Sequence, residues 1–439
     1  MQDMQGVQPE QPVPNTRQTQ LEQSEQRTEA AQEMEDSELG RRLQMLRGMQ
    51  WVFGANGDPY ARLLCGMEDD PSPLYDEIRT LGELHRSRTG AWVTAAPGLG
   101  GRILADRQLG ARRLVAGAGE TDGLEQYVLP GHQAFLRLER EEAERLREVA
   151  APVLGAAAVD AWRPLIDEVC AGLAKGLPDT FDLVEEYAGL VPVEVLARIW
   201  GVPEEDRARF GRDCRALAPA LDSLLCPQQL ALSKDMASAL EDLRLLFDGL
   251  DAMPRLAGPA GGDGTAVAML TVLLCTEPVT TAIGNAVLGL LPGQWPAPCT
   301  GRVAAGQVAE QALHRAVSYR IATRFAREDL ELAGCEVKSG DEVVVLAGAV
   351  GRDGPFAAAP AASLAPPAPP APLAPPAPSV FGAAAFENVL AEHLVRAVTG
   401  AALHALAERA PRLTAAGPVV RRRRSPVVGG LHRAPVAAA

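Results

Sequence analysis

Phe381-Gly382-Ala383-Ala384-Ala385-Phe386-Glu387-Asn388-Val389-Leu390 runs into an Ala/Leu-rich helix pattern between His393 and Ala410. A Phe-Gly pair, a short loop and an apolar helix mouth follow one another here, with Asn388 where the loop meets the helix pattern. A thiolate at such a place is anionic and soft, and pushes electron density onto a bound metal; a neutral carboxamide is a poor ligand and supplies no such push. The reading of the whole chain turns on position 388.

The stretch resembles the loop with which the haem-thiolate monooxygenases, the cytochromes P450, hold their axial cysteine. The resemblance implies a mainly α fold with small β-sheets, a cytochrome P450-like fold that lacks the haem-thiolate ligand. Further positions depart from that family's pattern. Thr276-Glu277-Pro278-Val279-Thr280-Thr281 stands where the oxygen-activating Ala-Gly-x-Glu/Asp-Thr-Thr segment lies. Thr280 remains, the acid has become Val279, and the small residue facing the haem has become Glu277. A buried carboxylate is penalised unless paired, so Glu277 is expected to have a cationic partner or to face water. The family's Glu-x-x-Arg pair reads Gln311-Ala312-Leu313-His314, whereas Arg324 matches the arginine that pairs with a haem propionate. Ligand, acid and core pair are all altered, so haem is not expected as a cofactor.

The chain has 439 residues, 47% of them hydrophobic, enough for one large domain with a sizeable core. Its net charge of −14 argues against a nucleic acid as partner, and the run Arg421 to Arg424 reads as a local surface or partner-facing feature. Seven cysteines without CxxC spacing, and a start without a basic region followed by an apolar one, read as reduced and cytoplasmic. Two uncharged runs, Pro278 to Gly301 and Ala357 to Phe386, are broken by proline, so no membrane partner is expected. Six histidines that never recur within four residues exclude a helical His-x-x-x-His metal site. No Gly-x-Ser-x-Gly elbow or phosphate loop occurs, and Gly98-Leu99-Gly100-Gly101 reads as a turn. No catalytic residue and no metal ligand are therefore assigned.

Residues 1–35 are Gln/Glu-rich and read as a disordered tail. Residues 36–69 form an N-terminal segment. Asp36 or Ser37 caps a helix with Leu39, Leu43 and Leu46 on one face, ending at Gly48; Trp51 and Phe53 and the turn Asn56-Gly57-Asp58-Pro59-Tyr60 follow. These large side chains pack on the chain's own domain or dock another protein. Leu39, Leu43, Leu46, Trp51, Phe53 and Tyr60 are the candidate partner-binding residues. Residues 70–439 form the main domain, with helices at 136–154, 162–177, 181–200, 204–217, 228–250 and 265–291. A Pro/Ala-rich insertion, 357–380, reads as polyproline II or irregular spacer.

Leu39-Gly40-Arg41-Arg42-Leu43-Gln44-Met45-Leu46-Arg47-Gly48, the turn at 56–60 with Leu63-Leu64-Cys65-Gly66, and the ending Gly417-Pro418-Val419-Val420-Arg421-Arg422-Arg423-Arg424-Ser425-Pro426-Val427 resemble a narrower family. These are the haem-free, cytochrome P450-like auxiliary proteins of actinobacterial antibiotic pathways, which activate a partner deoxysugar glycosyltransferase. The resemblance spans residues 38 to 439, the Pro/Ala run excepted. It implies a non-enzymatic role: binding and stabilising a transferase that moves a nucleotide-activated deoxysugar onto a polyketide aglycone, as a two-plus-two heterotetramer. Two other readings stay open, a divergent haem monooxygenase with a substitute axial ligand and a module that binds the aglycone in the old substrate pocket.

Overall fold

A helix that is apolar on every side must be buried, and the segment 262–290 is such a helix. In the computed structural model, which describes residues 16–113, 137–250, 262–291, 293–315, 320–350 and 388–438, it forms the axis of the helical layer. Numbered in chain order, the helices before it are α1 (Thr16–Ala55), α2 (Pro59–Cys65), α3 (Ser72–Thr80), α4 (Pro97–Ala105), α5 (Arg140–Leu154), α6 (Ala156–Lys175), α7 (Leu190–Trp200), α8 (Glu204–Ala216), α9 (Ala220–Ser223) and α10 (Leu230–Asp248). The axis is α11 (Gly262–Leu290), followed by α12 (Arg302–Arg315), α13 (Ala347–Val350) and α14 (Asn388–Arg409). Helix α11 packs against α5, α7, α10, α12 and α14, and Val267, Leu270, Val272, Ile283 and Leu290 are completely enclosed. It is long and apolar enough to cross a membrane, yet its apolar window lies wholly inside the fold.

The strands form small sheets. Five of them, β1 (His85–Arg86), β2 (Trp92–Thr94), β8 (Glu342–Val345), β5 (Ala322–Ala326) and β3 (Leu109–Gly110), lie in that order, antiparallel except for the β2–β8 pair. Hairpin β6 (Leu330–Leu332) and β7 (Cys335–Val337) stands beside them. At the other end β12 (Pro435–Ala438) runs between β4 (Thr180–Asp182) and β9 (Leu413–Ala415), and β10 (Val420–Arg421) pairs with β11 (Leu431–Arg433). A second, smaller core seals α4 to the first sheet through Leu99, Ile103, Leu104, Val343 and Val345.

Several expectations need correction. Gly98-Leu99-Gly100-Gly101 lies in helix α4 rather than in a turn, because burying Leu99, Ile103 and Leu104 outweighs the helix penalty of the glycines. Helix α1 begins at Thr16, inside the stretch assigned to a disordered tail, and passes through Gly48 to Ala55. A glycine in a helix costs only about 1 kcal/mol, which neighbouring burial of Leu43 and Leu46 exceeds. Residues 181–188 form a strand and one π-helical turn before α7 starts. The loop 381–387 and the Pro/Ala-rich insertion 357–380 lie outside the described residues.

The N-terminal segment is welded to the main body. Asp58 caps α2 by accepting from Ala61 N at 2.9 Å and also accepts from Ser87 Oγ at 2.9 Å. Gly66 closes α2 with φ +57°, and a Cβ there would meet Arg424 Cα at 2.6 Å. Only glycine satisfies both demands. Among the described residues, all seven cysteines are free thiols.

Candidate functional site

Helix α11 carries an acid where an apolar bundle has no use for one. Glu277 is 6% exposed, and burial pushes its carboxyl up to about 7, with Arg422 opposing the shift. Arg422 Nη2 lies 3.3 Å from both carboxylate oxygens, so the cation that Glu277 requires comes from the C-terminal loop. Gly430 covers the other side: a Cβ there would stand 2.5 Å from Glu277 Oε1.

That loop is held from below by a second buried acid, Asp222 on α9. Ser425 Oγ donates to Asp222 Oδ2 at 2.6 Å, and the backbone N–H groups of Val427 and Val428 donate to Oδ1 at 2.8 and 3.2 Å. Ser425 Oγ in turn accepts from Gly430 N at 2.9 Å. Burial raises the Asp222 carboxyl while these donors pull it back. Arg424 donates to Gln50 Oε1 at 2.7 Å, and Gln50 donates to Leu225 O at 2.7 Å, which ties α1 to the same loop. The arginine run read as surface or partner-facing is therefore largely turned inward: Arg421, Arg422 and Arg424 are half-buried and only Arg423 is exposed.

The remaining positions singled out by sequence lie on four elements, α11, β5, α12 and α14. Thr280 donates to Thr276 O at 2.7 Å and approaches Ala188 O at 3.2 Å, so its hydroxyl serves the backbone. Arg324 lies buried on β5, its Nη1 donating to Thr323 O at 2.8 Å. Gln311 is half-buried on α12, and His314 lies in the helix's last turn. Asn388 opens α14. Among the described residues no group of three His, Cys, Asp or Glu side chains could hold a metal. The donor set does not fit a thiolate-ligated haem: position 388 is an amide, and position 277 is a carboxylate covered by Arg422 and Gly430.

The candidate docking residues divide by burial. Leu43, Leu46 and Tyr60 are core residues, and Leu39 and Phe53 are partly buried. The expectation that Leu43, Leu46 and Tyr60 present a surface is corrected: each faces the chain's own core. Trp51 does stand out, 66% exposed, together with Met45 at 56%, Val52 at 48% and Met49 at 40%. Met45, Met49 and Val52 fall at i, i+4 and i+7, on the side of α1 opposite Leu43.

Sequence reasoning missed Asp222, Met45, Met49 and the role of Arg422. For Met45 and Met49 the signal existed, since helical spacing places them away from Leu43.

The arrangement of helices and sheets is that of the cytochromes P450. The chain aligns with P450 RauA, solved in complex with a biosynthetic intermediate of aurachin RE, at a TM-score of 0.70 and 21% identity over 86% of this chain and 100% of that one. It aligns with ligand-free CYP164A2 of Mycobacterium smegmatis at 0.69 and 24%, covering 86% and 99% of the two chains. At these identities the likeness concerns the fold alone.

Within that fold, the chain belongs to the family of cytochrome P450-like auxiliary proteins of antibiotic pathways. Its relatives include Protein AknT of Streptomyces galilaeus, 35% identical over 93% of this chain and 97% of the relative. Protein DesVIII of Streptomyces venezuelae is 34% identical over 91% and 94%, and cytochrome P450 family protein EryCII of Saccharopolyspora erythraea 31% identical over 91% and 97%. No family model matches the chain.

Proposed function

We propose that this chain is a non-catalytic activator and stabiliser of a partner glycosyltransferase, which transfers a nucleotide-activated deoxysugar to a polyketide aglycone in antibiotic biosynthesis. Family membership supports the reading at the level of the whole chain. The single structural observation that carries it is the outward side of α1, where Met45, Met49 and Val52 are exposed on one face and Trp51 beside it, on a helix anchored by Leu43 and Leu46. Methionine and tryptophan are enriched at protein interfaces, and a rigid helix presents them at little entropic cost. Binding only the active conformer of the transferase shifts its population by the difference in affinity, so no catalytic group is needed on this chain. The amide at position 388 and the closed position 277 support a haem-free protein. The resemblance supports a two-plus-two assembly with the transferase, and free thiols accord with work inside the cell.

A variant carrying Met45→Gln, Met49→Gln, Trp51→Ser and Val52→Thr tests the proposal on co-expression with the transferase. It is expected to stay folded yet to lose both co-purification and activation. A folded variant that activates the transferase fully sinks this docking face. The monooxygenase alternative is tested by the absorption spectrum of protein expressed with haem precursor, before and after reductant and carbon monoxide. No haem band is expected; a stoichiometric thiolate-type band overturns the non-catalytic reading.

A further inference from the structure

One cleft inverts the charge of the chain around it. The protein carries a net −14, yet the cleft between α2, the loop at 66–71 and the C-terminal loop is lined by five arginines, Arg62, Arg320, Arg421, Arg422 and Arg423, against two carboxylates, Glu68 and Asp69. Among the described residues, two of the arginines have ionic partners. Arg62 bridges Glu68 at 2.8 Å and Glu77 at 3.0 Å, and Arg422 pairs with Glu277 at 3.3 Å. Arg423, at the exposed edge, donates to Met67 O at 3.1 Å.

Arg320 and Arg421 line the same cleft, and neither has an ionic partner among the described residues. Arg421 makes one long contact, 3.3 Å to Asn285 Oδ1. The Arg320 guanidinium lies over Gly429, where its Cζ would be 2.1 Å from an added Cβ, and it has no side-chain hydrogen bond or ion pair among the described residues. Burial and, next, the charge of Arg320 hold the Arg421 guanidinium below its ordinary value, with Asp69 and Asp70 acting in the opposite sense. Two like charges brought together and partly withdrawn from water destabilise the fold unless an anion sits between them.

The cleft has room for a small anion. Its space open to the centre of a water molecule is about 30 Å³. One ordered water needs about 10–15 Å³ on the same measure, so a single small oxyanion fits. Guanidinium forks suit the oxygens of such an anion. We infer that Arg320 and Arg421 form a binding site for one small oxyanion of the phosphate class, free in solution or at the end of a larger molecule whose remainder lies in solvent. The site is separate from the α1 face and does not depend on the proposed partner.

The full chain, exchanged into phosphate-free buffer, is titrated with inorganic phosphate by calorimetry, and its thermal unfolding is compared in phosphate and in chloride at equal ionic strength. Phosphate is expected to raise the melting temperature beyond chloride. Arg320→Gln and Arg421→Gln are each expected to weaken phosphate binding roughly tenfold or more, the factor lost with one charge-assisted hydrogen bond. In phosphate-free buffer Arg320→Gln is expected to melt no lower than the parent chain, because a repulsion has been removed. Equal shifts in phosphate and chloride overturn the site. So does Arg320→Gln that melts lower without phosphate and keeps the full phosphate shift, the pattern of a purely structural arginine. Arg320→Lys, which keeps charge and loses the fork, covers the case of a glutamine variant that does not fold, and is expected to bind with intermediate affinity. A nucleoside monophosphate binding more tightly than phosphate identifies a terminal phosphate as the occupant; phosphate binding alone identifies the free anion.

Discussion

The C-terminal loop and the outer face of α1 break the ordinary rules of burial in opposite directions. Around Glu277 and Asp222, ionisable groups are enclosed and each is met by donors: Arg422 for the first, Ser425, Val427 and Val428 for the second. On α1, Met45, Met49, Trp51 and Val52 are apolar and left in water. The enclosed polar cluster is held from within the chain, although Glu277 Oε1 accepts no hydrogen bond among the described residues. An apolar stripe in water is incomplete by itself. The difference teaches that this protein holds its buried acids from within the chain and leaves an apolar face of α1 to water.

The sharpest way to break the first half of that comparison is Asp222→Ala. It leaves the Ser425 hydroxyl and two backbone N–H groups without their acceptor. Buried donors without partners cost about 1–3 kcal/mol each, so a loss of about 3–5 kcal/mol is expected in chemical denaturation, together with faster proteolysis at the 421–430 loop. A loss below about 1 kcal/mol would show that the loop is held by other contacts. Next in size is Leu43→Ala. Leu43 is 2% exposed, and a cavity at such a position costs about 2–5 kcal/mol. A neutral result there removes the distinction between the two faces of α1.

Much of this was legible in the sequence, for physical reasons that also mark the limit. Helix α11 announces itself because residues 265–275 are apolar without a period, which only a buried helix tolerates. Glu277 was readable as an acid in need of a cation, because the desolvation penalty follows from its neighbours in sequence. That the cation is Arg422 was not, since a partner 145 positions away is fixed by tertiary packing. For the same reason Arg421 to Arg424 looked like surface: charge patterning is a local rule, and it cannot see an acid approaching from α9 or α11. Helix α4 escaped because three glycines in four residues obey turn statistics until Leu99, Ile103 and Leu104 find a sheet to cover. The loop at 381–387 decided the reading of the fold and lies outside the described residues.

A smaller effect, with a sign that depends on pH, sharpens the account of the closed region. The Glu277 carboxyl titrates at about 7 in the folded chain against an ordinary value of 4.5. Its folded pKa is raised, so the protonated form is the one folding favours. That contribution is complete below pH 4.5 and is lost as the pH rises through 7. Glu277→Gln abolishes the titration and leaves Arg422, a quarter exposed, to be solvated. At pH 8 the variant is expected to be more stable than the parent by about 1–3 kcal/mol, and the difference is expected to shrink toward zero near pH 4.5. Urea midpoints at the two pH values read this directly. A variant less stable than the parent at pH 8 would mean that the pair with Arg422 outweighs the burial of both charges.

The smallest effect expected in the isolated chain is the one most informative about function. Trp51 is 66% exposed, so Trp51→Ser removes little buried area, and the stability of the free protein is expected to change by no more than about 0.5 kcal/mol. If the α1 face docks a partner, the same substitution takes away an aromatic anchor from a dehydrated interface, where a truncated hot spot costs about 2 kcal/mol or more and weakens binding roughly thirtyfold. The two measurements separate the roles of the two regions. A substitution in the closed loop moves stability first and partner binding only through it, whereas one on the open face moves binding while the melting curve stays where it was. Trp51→Ser that lowers both to the same extent assigns the tryptophan to the chain's own packing and leaves α1 without a reason to expose Met45, Met49 and Val52.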